Sequence, residues 1–389
     1  MKKLLLPALA AIMLTCPAAA QEAEPQGAPS PNQIVDAAPA SEWMKIPAED
    51  LVVMTLAPDV RGDAVGNAQG DAREIIIQLM PAPFSQGWVK NIRTLAREGW
   101  YDGITVNRVQ DNYVVQWGDP NADSTLPAAQ AKPLPGGLRI MKPGSYTATM
   151  WAVGEEDDKL KRPTRADGSS FDFERIAKIS IEATKTANAS EGWHERDGYA
   201  EWVEFWNGWP LAYSETVYWV SEDYDRRDDP PAPAETSKWF RQEENEKYWP
   251  VHCYAMVGVG RGYSPDTGSG AELYTVIGHA PRHLDRNIAL VGRIVEGMEH
   301  LTSLPRGSGP LGFYTDKESD KRTPIQSVRV ASDLPVDQQP AFEFLSTNGE
   351  SFARYLVARA NRRDPFFITP AGGADICNIP VPVRRIAGD

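Results

Sequence analysis

The sequence predicts a mainly β fold: a small closed antiparallel β-barrel capped by two helices, with a large aromatic-rich insertion and a C-terminal helical extension. Three observations point to it. Short β-branched runs recur with turn residues between them. One amphipathic helix follows the second run, and a shorter one precedes the last. Between the early and late runs lies an irregular stretch, 121–250, too rich in aromatics to be a disordered linker. Short antiparallel strands with few helices bury their edges best by closing on themselves.

The elements follow in order. Lys2 and Lys3 form a basic start, Leu4 to Leu14 an apolar run, and Ala18-Ala19-Ala20 a small-residue cleavage site. Together they predict a cleaved signal peptide over 1–20 and a periplasmic, secreted protein. The run is too short to span a membrane, and no later one is long enough. Cys16 raises a lipid-anchor reading, which Met13 and Thr15 fit poorly. Residues 21–42, rich in Ala, Pro, Gln and Glu, read as a flexible leader.

Leu51 to Leu56 and Glu74 to Leu79 read as paired strands. Ser85 then caps a helix whose Trp88, Ile92, Leu95 and Ala96 share one face, and Gly99 offers a left-handed stop. Ile104 to Val109 and Tyr113 to Trp117 are two strands around a tight turn at Gln110-Asp111-Asn112. Further strands fall at Tyr254 to Val259, Glu272 to Ile277, Ile288 to Val295 and Ile325 to Ala331, with a short helix over Glu296 to Ser303. Residues 43–335 are thus one domain with the insertion inside it. In the extension, 336–389, Phe342 to Arg363 reads as largely helical, broken at Asn348-Gly349, and the Pro- and Val-rich tail as extended.

Composition narrows the function. Hydrophobic residues make up 42% of the 389, enough for a sizeable core. The net charge of −13 becomes −15 once the two leader lysines are lost, which disfavours nucleic acid and anionic membrane surfaces as partners. After cleavage only Cys253 and Cys377 remain. They either pair in an oxidising compartment or stay as two buried thiols, and no CxxC pattern is present.

Several local signals are demoted. Gly258-Val259-Gly260-Arg261-Gly262 misplaces the third glycine of a dinucleotide loop and runs into Pro265. His279 and His283 have metal-ligand spacing, but Pro281 between them breaks the helix it needs. Glu222 to Asp225 reads as a solvated acidic loop rather than a calcium site. Trp202, Phe205, Trp206 and Trp209 have the spacing of a buried helix face, favoured over a partner-binding surface.

Two longer stretches carry a resemblance. Residues 75–120, IIIQLMPAPFSQGWVKNIRTLAREGWYDGITVNRVQDNYVVQWGDP, and 255–298, AMVGVGRGYSPDTGSGAELYTVIGHAPRHLDRNIALVGRIVEGM, resemble the two halves of cyclophilins, with the order and spacing of that family. The phrases NYVVQWGDP and APRHLDRNIALVGR look like a secreted proteobacterial subgroup with enlarged loops. The resemblance implies a cyclophilin barrel and peptidyl-prolyl cis–trans isomerase activity on proline-containing unfolded or exported chains, with no cofactor or metal. It implies Arg108 as the catalytic arginine and Gln116 as the glutamine holding the substrate backbone. Tyr113 and Val114 fall where Phe and Met line the proline pocket, and Gly260 and Arg261 where the residue before proline is bound. Glu272 stands in place of Gln, Tyr274 in place of Phe, and Ile288 in place of His, while His283 and Leu284 form the pocket wall.

These residue types suit the chemistry. Amide resonance sets a rotation barrier of about 18–20 kcal/mol, and a twisted prolyl amide regains a nitrogen lone pair. A permanently charged guanidinium can donate to that nitrogen while apolar walls grip the ring. Glu272 is the ambiguous position: facing Arg108 it would either lock the donor in an ion pair or orient it. Two other readings remain, a cyclophilin-like peptide-binding or chaperone module with weak catalysis, and a structural envelope protein that docks through its insertion.

Overall fold

The computed structural model describes residues 27–58, 73–122, 131–148, 197–214, 217–221, 239–243 and 247–386. The leader at 1–20 and the acidic stretch Glu222 to Asp225 lie outside them.

Among the described residues sixteen strands run β1 (Trp43–Lys45), β2 (Leu51–Leu56), β3 (Arg73–Leu79), β4 (Thr105–Val109), β5 (Val114–Gly118), β6 (Trp202–Trp206), β7 (Trp209–Ser214), β8 (Val217–Ser221), β9 (Trp239–Glu243), β10 (Lys247–Pro250), β11 (Met256–Val259), β12 (Leu273–Val276), β13 (Leu290–Glu296), β14 (Ile325–Val330), β15 (Phe342–Leu345) and β16 (Val383–Arg385). The α-helices are α1 (Pro31–Asp36), α2 (Gln86–Arg97), α3 (Glu299–Thr302) and α4 (Glu350–Ala360).

Eight strands form one antiparallel sheet in the order β14-β2-β3-β13-β11-β12-β5-β4. Its outer strands nearly meet: the Ile325 amide donates to Ile104 O at 2.8 Å and the Val106 amide to Thr323 O at 2.9 Å. The expected barrel is present. Val52, Met54, Ile77, Leu79, Trp117, Val257, Leu273, Val291 and Val328 point inward. With Ile92 of α2 and Tyr101 beyond it, they leave a void of only about 10 Å³, too little for more than one water. Such a barrel holds nothing inside, so any site lies on its outer face.

Helix α2 closes one end with Trp88, Val89, Ile92, Leu95 and Ala96 buried, as the periodicity requires. Gly99 takes the left-handed conformation (φ 62°) that stops it. Ser85 stands at the cap position, but its side chain accepts no capping bond.

Three expectations are corrected. The aromatic stretch 202–209 is a hairpin, not a helix: β6 pairs with β7, and Trp206 lies opposite Trp209. Asn207 and Gly208 both have positive φ (45° and 81°), the turn that an Asn-Gly pair favours between strands. That local turn signal outweighs the aromatic spacing. In the extension, Phe342 to Leu345 is a strand sandwiched between β1 and β16, and only the part beyond Asn348-Gly349 is helical. Within the leader, 31–36 is a helix, capped by a reciprocal box between Ser30 and Gln33.

The question of the thiols is resolved in favour of pairing. Cys253 and Cys377 form a disulfide across a sequence separation of 124 residues, tying the extension to the segment that enters β11. Cross-linking so long a loop restricts the unfolded chain, an effect typically worth about 2–4 kcal/mol. Cys377→Ser is therefore expected to lower the thermal midpoint by several degrees in an oxidising buffer. In dithiothreitol the native chain should fall to meet the variant; equal midpoints under oxidising conditions would contradict the stabilising role.

Candidate active site

The site is built by alternation along β5 and β12. A strand presents successive side chains to opposite faces. Val115 and Trp117 of β5, with Leu273 of β12, enter the core, so Val114, Gln116, Tyr274 and Val276 face out. Register then aligns them: Val114 lies opposite Val276, Gln116 opposite Tyr274, and on the other side Gln116 opposite Arg108 of β4. Arg108, Gln116 and Tyr274 thus form one row across three strands.

The row is hydrogen-bonded. Arg108 donates from Nη1 to Gln116 Oε1 at 2.9 Å, and Gln116 donates from Nε2 to Glu272 Oε1 at 2.7 Å. Arg108 also donates from Nε to Leu311 O at 2.7 Å and from Nη2 to Gln110 Oε1. Its guanidinium lies 5.5 Å from the Tyr113 ring centroid and 5.4 Å from that of Phe313. Burial pulls the Arg108 pKa below its ordinary value, while Tyr113, Glu272 and Tyr274 pull against that shift.

Among the described residues no ion pair joins Arg108 to a carboxylate, so Glu272 does not lock the donor. It acts one residue away. An ionised carboxylate only accepts hydrogen bonds, so Gln116 must turn its NH2 to Glu272 and its oxygen to Arg108. The amide, which could otherwise point either way, is thereby set. Burial raises the Glu272 pKa, opposed by the Gln116 bond and by Arg108. Two glycines make room: a Cβ on Gly260 would sit 2.7 Å from Glu272 Cγ, and one on Gly258 would sit 2.4 Å from the Tyr274 ring. Two of the three glycines of the rejected dinucleotide motif therefore serve as seats for Glu272 and Tyr274.

Beside the row lies an apolar patch in which Val114, Tyr274 and Val276 are buried and Tyr113, Leu284 and Ile288 pack on them partly exposed. The His283 ring stacks on Tyr113, with centroids 6.3 Å apart and planes within 8°. Gly260 donates its amide to Glu272 O. Arg261, next along, donates to Asn287 O and Gly262 O. The residues singled out for the site thus lie on or next to β4, β5, β11 and β12 and in the adjoining 283–288 loop, on the outer side of the sheet.

The sequence reading missed others. Phe313 and the Leu311 carbonyl reach Arg108 from a short turn at 310–312, which no motif marks. Behind the groove, His252 is fully buried. Its ring lies nearly parallel to that of Tyr274, with centroids 6.3 Å apart, and shares hydrogen bonds of 2.8 Å with Tyr274 Oη and with Asp285 Oδ1. It lies just outside the resembling segment, and only its place beside Cys253 could have drawn attention to it.

Residues 69–150 match the family model described as "Cyclophilin type peptidyl-prolyl cis-trans isomerase/CLD". Over that stretch the chain matches a cyclophilin-type peptidyl-prolyl isomerase domain. The match takes in Arg108, Tyr113, Val114 and Gln116. The second half of the cyclophilin-like sequence, 255–298, lies beyond the match but supplies the facing strands of the same barrel. Solved structures similar to this chain include the cyclophilin AquaCyp293 from Hirschia baltica, 17% identical, covering 92% of this chain and 98% of that one, with a TM-score of 0.48. Another is a cyclophilin-type isomerase from Cryptosporidium parvum solved in the presence of the dipeptide ala-pro, 7% identical, covering 72% and 97% of the two chains, with a TM-score of 0.30. No curated protein matches the chain.

Replacing Glu272 tests how the Arg108–Gln116 row is set. A carboxyl whose pKa is raised by burial is destabilising when ionised, so stability falls as pH rises through that raised value. Glu272→Gln is accordingly expected to be at least as stable as the native chain at pH 7, by thermal melt. It should also free the Gln116 amide to adopt two orientations, visible as doubled or broadened side-chain amide resonances. Its affinity for an Ala-Pro peptide should fall about 2- to 10-fold, the worth of one hydrogen bond of about 0.5–1.5 kcal/mol.

Proposed function

We propose that this chain is an exported peptidyl-prolyl cis–trans isomerase, acting on proline-containing unfolded polypeptides, in which Arg108 stabilises the twisted amide. The observation that carries the reading is a guanidinium held in a fixed direction at the edge of an apolar patch. Three of its five N–H groups are committed to the protein, which leaves donors for a ligand while holding the plane still.

The reaction needs no bond broken. Trans exceeds cis before proline by only about 0.5–1 kcal/mol, yet exchange takes tens to hundreds of seconds. The catalyst must bind the perpendicular amide better than either planar form, and each 1.4 kcal/mol or so of that preference gives tenfold in rate. Val114, Tyr274, Leu284 and Ile288 would hold the ring and Gln116 the backbone, while Arg108 donates to the nitrogen as its lone pair localises. A pre-set donor outperforms water because it need not reorient as the amide twists.

Export is supported by the basic and apolar leader, and by a disulfide of the kind that persists in oxidising compartments. Folding assistance outside the cytoplasm follows from that placement.

Arg108→Ala is expected to cut kcat/KM by about 100-fold or more, as loss of an aimed donor does elsewhere, with little change in thermal midpoint. Arg108→Lys should recover only part of it, because an ammonium lacks the planar fork. Exchange spectroscopy on an Ala-Pro peptide measures both. A native chain that binds the peptide without accelerating exchange would leave the binding-module reading in its place.

A further inference from the structure

A chain of buried polar groups runs from the groove into the insertion. Tyr274 Oη meets His252 Nε2 at 2.8 Å, and His252 Nδ1 meets Asp285 Oδ1 at 2.8 Å. The His252 backbone amide donates to the same oxygen at 3.0 Å. Asp285 Oδ2 accepts from Arg282 Nε at 2.6 Å, and Arg282 Nη1 and Nη2 donate to Asp197 at 2.7 and 3.0 Å. The side chains of His252, Arg282, Asp285 and Asp197 are 0–3% exposed. Burial lowers the His252 pKa, so the ring is neutral at pH 7. Nδ1–H then donates to the carboxylate, and Nε2 accepts the Tyr274 hydroxyl proton.

These groups are placed to hold the pocket wall. Leu284 and Ile288 come from a loop, 282–288, that contains no strand. Arg282 and Asp285 are its two deeply buried charged residues, and each flanks a wall residue. Tyr199, following Asp197 in the insertion, lies 5.3 Å from Arg282, and Trp249 of β10 lies 4.6 Å from Arg286. The insertion therefore grips the wall from behind at three points. Tyr274 gains in turn: its hydroxyl, a polar group that an apolar pocket would leave without a partner, is drawn back to His252, and the rest of the ring lines the groove.

We propose that Asp197 and His252 are positioning residues for the prolyl pocket, through which the insertion sets the 282–288 wall and the Tyr274 ring at the spacing that grips a proline. This rests on the isomerase reading for its reaction, but not for its binding. Neither residue touches the substrate. Ion pairs so fully desolvated contribute geometric definition more than stability, and a pocket wall on a loop is where definition matters. Substrate affinity should then depend on a carboxylate in the insertion, behind the wall and outside the groove.

The test uses the full chain and the peptide Ala-Ala-Pro-Phe as probe, with affinity read by NMR titration and turnover by exchange spectroscopy. Asp197→Asn is expected to weaken affinity about fivefold, with turnover at saturation kept within about twofold. Asp197→Glu, which retains the charge, should recover part of the affinity and serves if the first variant does not fold. Asp333→Asn, which breaks a surface pair with Arg97 away from the groove, should change neither. Unchanged affinity in the Asp197 variants, whatever their melting temperature, would overturn the proposal, as would a loss confined to turnover. If the native chain binds the peptide but does not isomerise it, the isomerase reading fails while the affinity comparison still decides this one.

Discussion

Strand alternation in register is the constraint on which the rest of the structure depends. Because β5 and β12 each send one residue in and the next out, the large side chains that fill the barrel also fix the direction of the groove residues between them. Trp117 and Leu273 cannot leave the core without taking Gln116 and Tyr274 off the outer face. The filled interior excludes a ligand and, by the same packing, makes the outer row rigid. Arg108 then needs only a register partner, Gln116, and a carbonyl, Leu311, to be aimed.

Electrostatics refine what the register begins. Glu272 acts on Arg108 through an amide rather than by contact, so the guanidinium keeps its charge and its remaining donors while the amide between them loses its freedom to turn over. A direct ion pair would have given a tighter bond and a poorer donor. Gly258 and Gly260 are part of this arrangement, since a methyl group on either would displace the side chain lying across it.

The added segments are fastened to the barrel at several points. Arg293 of β13 reaches the turn of the β6–β7 hairpin at Gly208 O and lies over Trp209. Gly208 in turn packs against Phe344 of the extension, and Cys253 is bonded to Cys377. The insertion and the extension share a surface, and His252, next to the bonded Cys253, meets Tyr274.

The barrel was legible in the sequence because strands and α2 follow local rules, whereas the candidate site residues came from the resemblance to cyclophilins. Short β-branched runs between turn residues marked the strands, 3.6-residue spacing marked α2, and NRVQDNYVVQWGDP placed Arg108 and Gln116 on two strands with one tight turn between them. The Asn207-Gly208 turn is equally legible in the sequence, and it outweighs the aromatic spacing around it. The sequence left two things open, whether Glu272 would neutralise Arg108 and whether Cys253 would find Cys377, since both depend on distances between segments far apart in the chain. Only the tertiary structure could bring Asp197, His252 and Phe313 to the groove. Their positions follow from how an insertion and a turn pack on the barrel, and packing between distant segments leaves no periodicity in either one.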